Sequence, residues 1–184
     1  MSEAPRAATP TIVVWDPLVR LGHWTLAACV LLSWATGEGG KRLHEWLGYA
    51  AGAAVALRVL WGFAGPRFAR FADFVRGPRA TLAYAQLLLA GREPRHLGHN
   101  PLGGWAIVAL LALTALTAWS GWLYTTDAYW GVEWVGEMHE ALADVLLALI
   151  ALHLAGVALA SWRHRENLVV AMLHGRKRKD PDHA

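Results

Sequence analysis

Residues 139–153 read HEALADVLLALIALH, an apolar run bounded by two histidines and interrupted by one carboxylate, Asp144. On a helix, a step of fourteen residues is close to four turns, so His139 and His153 point about 40° apart around the axis and lie about 21 Å apart along it. One helix through these residues carries an imidazole toward each face of a bilayer.

The rest of the chain supports a bilayer setting. Its 184 residues are 55% hydrophobic, with a mean hydropathy of +0.29, too apolar for an ordinary soluble domain of that length. Four stretches, 18–36, 46–64, 103–124 and 141–160, each approach the roughly 20 residues that cross hydrocarbon as a helix. The expected fold is an all-α membrane protein, a four-helix transmembrane bundle. The first stretch is short enough for a signal peptide, but the long, base-poor segment before it and the lack of a small-residue cleavage site argue for a retained span. Residues 66–102, between spans two and three, are too many for a plain loop. There Phe68, Phe71, Phe74 and the run 82–90 alternate with arginines, which predicts an interfacial amphipathic helix or helix pair broken at Pro78. Residues 1–14 read as a flexible N-terminus, 15–174 as the membrane domain and 175–184 as a charged, basic tail.

Basic residues orient the spans, because they are retained on the cytoplasmic side. Arg6 and Arg20 precede or open span one; Arg67, Arg70, Arg76, Arg79, Arg92 and Arg95 lie between spans two and three; Arg163, Arg165, Arg176, Lys177, Arg178 and Lys179 follow span four. The opposite loops hold only Lys41 and Arg42. Both termini are therefore expected in the cytoplasm, with the bundle in a bacterial inner membrane. The tryptophans fall into two belts on this layout: Trp15, Trp24, Trp61, Trp105 and Trp162 toward the inner face, Trp34, Trp46, Trp119, Trp122, Trp130 and Trp134 toward the outer. A pI near 9.4 is then a matter of topology and anionic lipid, and gives no support for nucleic-acid binding.

Depth sorts the histidines. His23 opens span one at the inner face and His153 lies deep in span four near that face; His44 opens span two at the outer face, as His139 opens span four. Ionisable residues inside a bilayer are costly and mark cofactors or transport paths. The pairing by depth, His23 with His153 and His44 with His139, fits two bis-histidine hemes and leaves no member over. Cys29 is the only cysteine, so a CxxCH attachment is absent and the expected cofactors are two noncovalent b hemes. Gly48 and Ala51, one and two turns after His44 on its face, leave room for a flat ring. Arg58, fourteen after His44 on a helix running inward, reaches the depth of His153 and can neutralise propionates of the inner heme, with Arg20 as a second cation. The turn His99-Asn100-Pro101 at the inner entrance of span three is a candidate quinone headgroup site. Asp127, Glu133, Glu137 and Glu140, with Glu38 and Glu45 nearby, give the outer side an acidic face suited to a positively charged partner. His164, His174 and His183 read as solvated, and Asp144 has no assigned partner.

With Arg20 before His23-Trp24, His44 at the start of span two, the turn Asn100-Pro101-Leu102-Gly103-Gly104 and the His139/His153 pair, the chain resembles the bacterial cytochrome b561 family. It is most similar there to the b-type cytochrome subunits of nickel-iron hydrogenases, and more distantly to the membrane subunit of respiratory formate dehydrogenase. The resemblance spans about 14–177. It implies a four-helix bundle with two b hemes, ligated by His23, His44, His139 and His153, passing electrons between quinone and a partner. Hydrogenase-type subunits usually carry an additional span, so the four-span form is nearer the stand-alone members.

The function expected is electron transfer across the bilayer between the quinone pool and a periplasmic c-type cytochrome, a hydrogenase or another redox protein, by a monomer or homodimer in membrane lipid. Whether the chain acts alone as a quinone oxidoreductase or as a subunit stays open, as do the direction of flow and superoxide as a substrate. Two other classes compete: a proton or metal path lined by the histidines, Arg58 and Asp144, and a passive anchor for a redox enzyme.

Overall fold

The computed structural model of the protein describes residues 10–37 and 39–179. After a short strand β1 (Thr11–Val13), Asp16 starts the first long helix, α1 (Pro17–Thr36): its Oδ1 accepts from the Leu18 and Val19 amides at 3.0 and 3.2 Å. Proline as first helical residue sacrifices an amide that no helix would use, and a cap of this kind contributes about 1 kcal/mol. The second span, α2, runs Lys41–Ala64. A single 3-10 turn, Arg67–Ala69, leads into α3 (Phe71–Phe74) and α4 (Pro78–Leu89). The same Asx-Pro device as in α1 then opens α5 (Pro101–Tyr124), where Asn100 Oδ1 accepts from the Gly103 amide at 2.7 Å. The last long helix, α6 (Glu133–Arg163), has 31 residues, followed by α7 (Leu168–His174) and a strand β2 (Arg176–Arg178).

Among the described residues, four helices are long and apolar enough to cross a membrane. Close packing joins α1 to α2, α2 to α5 and α5 to α6, whereas α6 makes no comparable backbone contact with α1 or α2 among the described residues. The bundle is therefore closed along three seams and relaxed where α6 faces the first two helices. The segment between spans two and three folds back under one end of the bundle. Gly62 and Gly104 make this possible, since a Cβ would lie 2.1 Å from the Phe71 ring at Gly62 and 2.6 Å from the Phe74 carbonyl oxygen at Gly104. The break foreseen at Pro78 is the first residue of α4.

Two short strands lie just outside the boundaries drawn at 14 and 175. Thr11, Ile12 and Val13 pair antiparallel with Arg178, Lys177 and Arg176, so part of the expected flexible N-terminus and part of the expected tail are one two-stranded sheet. Beneath it Val14, Trp15, Val19 and Ala69 form a small buried core, with Trp61, Phe68 and Met172 packed against it. Trp15 is thus core rather than interfacial, and the Trp61 indole N–H donates to Asp16 at 3.2 Å. Lys177, on the strand, is buried: its ammonium donates to the His96 carbonyl at 3.1 Å and stands 3.5 Å from Glu166. Glu166 also takes Arg95 Nη2 at 2.8 Å and the Arg178 amide at 3.2 Å. Both terminal segments are consequently clasped to the loop before α5, at the end of the bundle where Trp15 lies.

Candidate functional site

The histidines resolve into one site near each end of the bundle. At the end remote from the terminal sheet, His44 on α2 and His139 on α6 face each other with ring centroids 5.9 Å apart and planes at 83°. Two imidazoles on one metal, each nitrogen about 2 Å from it, have centroids roughly 6 Å apart. Each ring is held from behind. The Nδ1–H of His44 donates to the Ser33 carbonyl on α1 at 2.8 Å. The Nδ1 of His139 meets the Thr117 carbonyl at 3.1 Å and the Ser120 hydroxyl at 3.0 Å, both on α5. A ring whose Nδ1 carries the hydrogen and donates it to a carbonyl presents Nε2 as a neutral ligand. Ser120 is fully buried and itself donates to the Thr117 carbonyl, as hydroxyls inside apolar helices do. Gly121 lies under the His139 ring, where a Cβ would stand 3.0 Å from Cε1. Gly48, one turn along α2 from His44, has open space where a side chain would begin.

At the other end stand His23 on α1 and His153 on α6, near enough for the His153 charge to act on His23. His99, Arg58 and Lys177 share that neighbourhood: the charges of Arg58, Lys177, His153 and His23 all bear on the His99 imidazole. Arg58 donates through Nη2 to the Ala69 carbonyl at 3.1 Å and its guanidinium sits 5.4 Å over the Phe71 ring. Arg20 donates through Nη1 to the Leu173 carbonyl. Burial, and after it these cations, pushes the His99 imidazole down to about 3, so it is neutral.

The polar atoms left without partners mark the same two places. Among the described residues, four buried side-chain atoms lack any hydrogen-bond partner: Arg20 Nε, Arg58 Nη1, His99 Nδ1 and Ser33 Oγ. The first three belong to the end that carries the terminal sheet and the fourth to the residue whose carbonyl holds His44. Orphaned buried donors are costly, on the order of 1–3 kcal/mol each, and a bound group with its own acceptors removes that cost. Among the described residues, no three His, Cys, Asp or Glu side chains gather as a bare metal site would require. Paired imidazoles with basic donors beside them suit a macrocycle bearing its own iron and carboxylates.

A model of the prokaryotic cytochrome b561 family matches residues 14–175. The chain belongs to the prokaryotic cytochrome b561 family. Membership makes it a b-type heme protein of electron transfer, multi-pass in a bacterial membrane. No curated protein and no solved structure matches the chain.

Several residues of this cytochrome take places that sequence reading had not assigned. Asn100 spends its side-chain oxygen on capping α5, and His99 beside it turns inward between the Trp15 and Phe74 rings, at 4.5 and 4.8 Å. Ser33, Thr117 and Ser120, which hold the His44 and His139 rings, carry little signal in the sequence beyond the three-residue spacing of Thr114, Thr117 and Ser120 on α5. Asp144 is exposed on α6, away from the buried face carrying Leu146. His174 accepts the Arg176 amide in the turn before β2. Of the acidic group at the far end, Asp127, Glu133, Glu137, Glu140 and Glu45 are described, whereas Glu38 lies outside the described residues, as does His183.

Proposed function

We propose that this cytochrome holds two noncovalent b hemes, one between His44 and His139 and one between His23 and His153, and carries electrons across the bilayer between the quinone pool and a redox protein on the far side. The observation that bears most weight is the outer pair: two imidazoles from different helices, 5.9 Å apart, each held by its Nδ1 so that Nε2 faces inward. A bound b heme supplies a one-electron ferric/ferrous couple. The chain's own part is to hold and tune. Carbonyl partners on Nδ1 make the outer ligands more basic, and Arg58 and Arg20 offset negative charge at the inner site. The missing packing between α6 and the first two helices supports space for flat groups there. Quinone exchange belongs at the inner end, beside His153. Asp127, Glu133, Glu137 and Glu140 would draw a basic periplasmic partner, such as a c-type cytochrome or a hydrogenase partner subunit, to the outer end. The basic residues at the terminal end put that end in the cytoplasm.

The test is a heme count. Purified chain is expected to hold two b hemes, with His44→Ala and His23→Ala each losing a different one. A single heme in the unaltered chain, or two retained in either variant, would refute this wiring.

A further inference from the structure

His99 is not one of the four ligands, yet it is among the most constrained side chains at the inner site. Its ring lies in a slot between Trp15 and Phe74, its neighbour Asn100 is fixed as the cap of α5, and a Cβ at Gly98 would stand 3.0 Å from the Phe68 ring. Within that slot its Nδ1 is buried without a partner, and so is Nη1 of Arg58, whose charge acts on it. The other groups acting on His99 are Lys177, His153 and His23, none of them a carboxylate. Asp16, whose charge acts on Arg58, accepts from the Leu18 and Val19 amides and the Trp61 indole through one oxygen, Oδ1. The two unpartnered atoms thus flank the Phe71–Phe74 ring pair, Arg58 over Phe71 and His99 against Phe74, and a carboxylate brought in from outside would satisfy both when His99 carries its hydrogen on Nδ1.

We infer that His99 Nδ1–H and Arg58 Nη1 form a two-donor clamp for one carboxylate of the inner heme, a propionate, which makes His99 a positioning residue for that heme. This rests on the two-heme reading and goes beyond it. A carboxylate held by a neutral donor and a cation has its charge offset; removing the donor leaves more negative charge beside the iron and favours the ferric state.

The experiment uses the full chain in detergent, loaded with native heme or with its dimethyl ester, and reads heme content, low-spin absorbance and the ferrous/ferric ratio of each heme during a redox titration. With native heme, His99→Ala is expected to keep two low-spin hemes while lowering the ferrous/ferric ratio of the one lost in His23→Ala about tenfold at fixed ambient potential, equivalent to about 59 mV for one electron. His99→Asn, which retains an N–H near the Nδ1 position, should recover most of that ratio. With the dimethyl ester, which has no carboxylate charge to offset, the unaltered chain should not show the lowered ratio and His99→Ala should leave its ratio unchanged. An unchanged ratio in His99→Ala, or a shift of equal size with the ester, would overturn the clamp and leave the two-heme wiring standing; a raised KM for a quinol analogue in the same variant would then assign His99 to a quinone headgroup. Fewer than two hemes in the unaltered chain would overturn both.

Discussion

Under the proposed ligation, His44 and His139 show how much of a ligand's position is set by atoms that never touch the iron. His139 is held by the Thr117 carbonyl and Ser120 hydroxyl behind it and by Gly121 beneath it, all within one turn of α5. Ser120→Ala removes one of those partners, and loss of an outer-shell hydrogen bond typically weakens metal holding by about 10–100-fold. The expected result is heme leaving the outer site at least tenfold faster than from the unaltered chain, followed as transfer to an apo-globin acceptor, with the inner heme unaffected. Gly121→Ala puts a methyl 3.0 Å from Cε1, so the ring must give by a few tenths of an ångström; a shifted low-spin spectrum of that one heme is the expected sign. The facing of His44 and His139 was legible in the sequence because spacing and depth bring both to one end of the bundle. Ser33 and Ser120 were not, since a hydroxyl in an apolar span reads the same whether it bonds its own helix or steadies a ring on another.

Among the elements, the small sheet and the loop before α5 behave as one fastening around Glu166. Its carboxylate meets Arg95 and Lys177 and lies largely out of solvent. Burial alone would raise its pKa, but the hydrogen bond from Arg95, the charges of Lys177 and Arg95 and the Arg178 amide together outweigh burial and hold it below the ordinary value of 4.5. A depressed folded pKa gives stability that is present above the unfolded value and lost as pH falls through the folded one. Hydrogen-exchange protection of β1 and β2 is therefore expected to stay level from pH 7 to about 5 and to decline below about 4.5. In Glu166→Gln that decline should vanish, at the cost of about 3 kcal/mol of local stability at neutral pH, because two cations lose their counter-charge. The sequence disclosed α4 through Pro78 and the long helices through their length. It concealed β1 and β2, because three-residue strands have no periodicity and their partner lies at the other end of the chain.

For the molecule as a whole, four spans with paired terminal strands require both terminal segments at one face. The basic residues predict the cytoplasm: a reporter that fluoresces only there should be bright when fused after the tail and dark when inserted in the loop between α5 and α6. Replacing Arg76, Arg79, Arg92 and Arg95 together by neutral residues should weaken that preference, which the same reporter measures. The four-helix architecture was readable from hydropathy and span length. The open side of the bundle was not, because absent packing between two helices leaves no mark on either one's sequence.

Each histidine pair takes one member from α6, the last of the four long helices to be synthesised. Under the proposed ligation, neither iron can be gripped from both sides while the chain is still emerging, although α1, α2 and α5 can already dock on one another. Cofactor capture then acts as a biogenesis checkpoint: a chain arrested before His139 inserts its first three spans yet holds no bis-histidine heme, which leaves it without the cross-link that would mark it as finished.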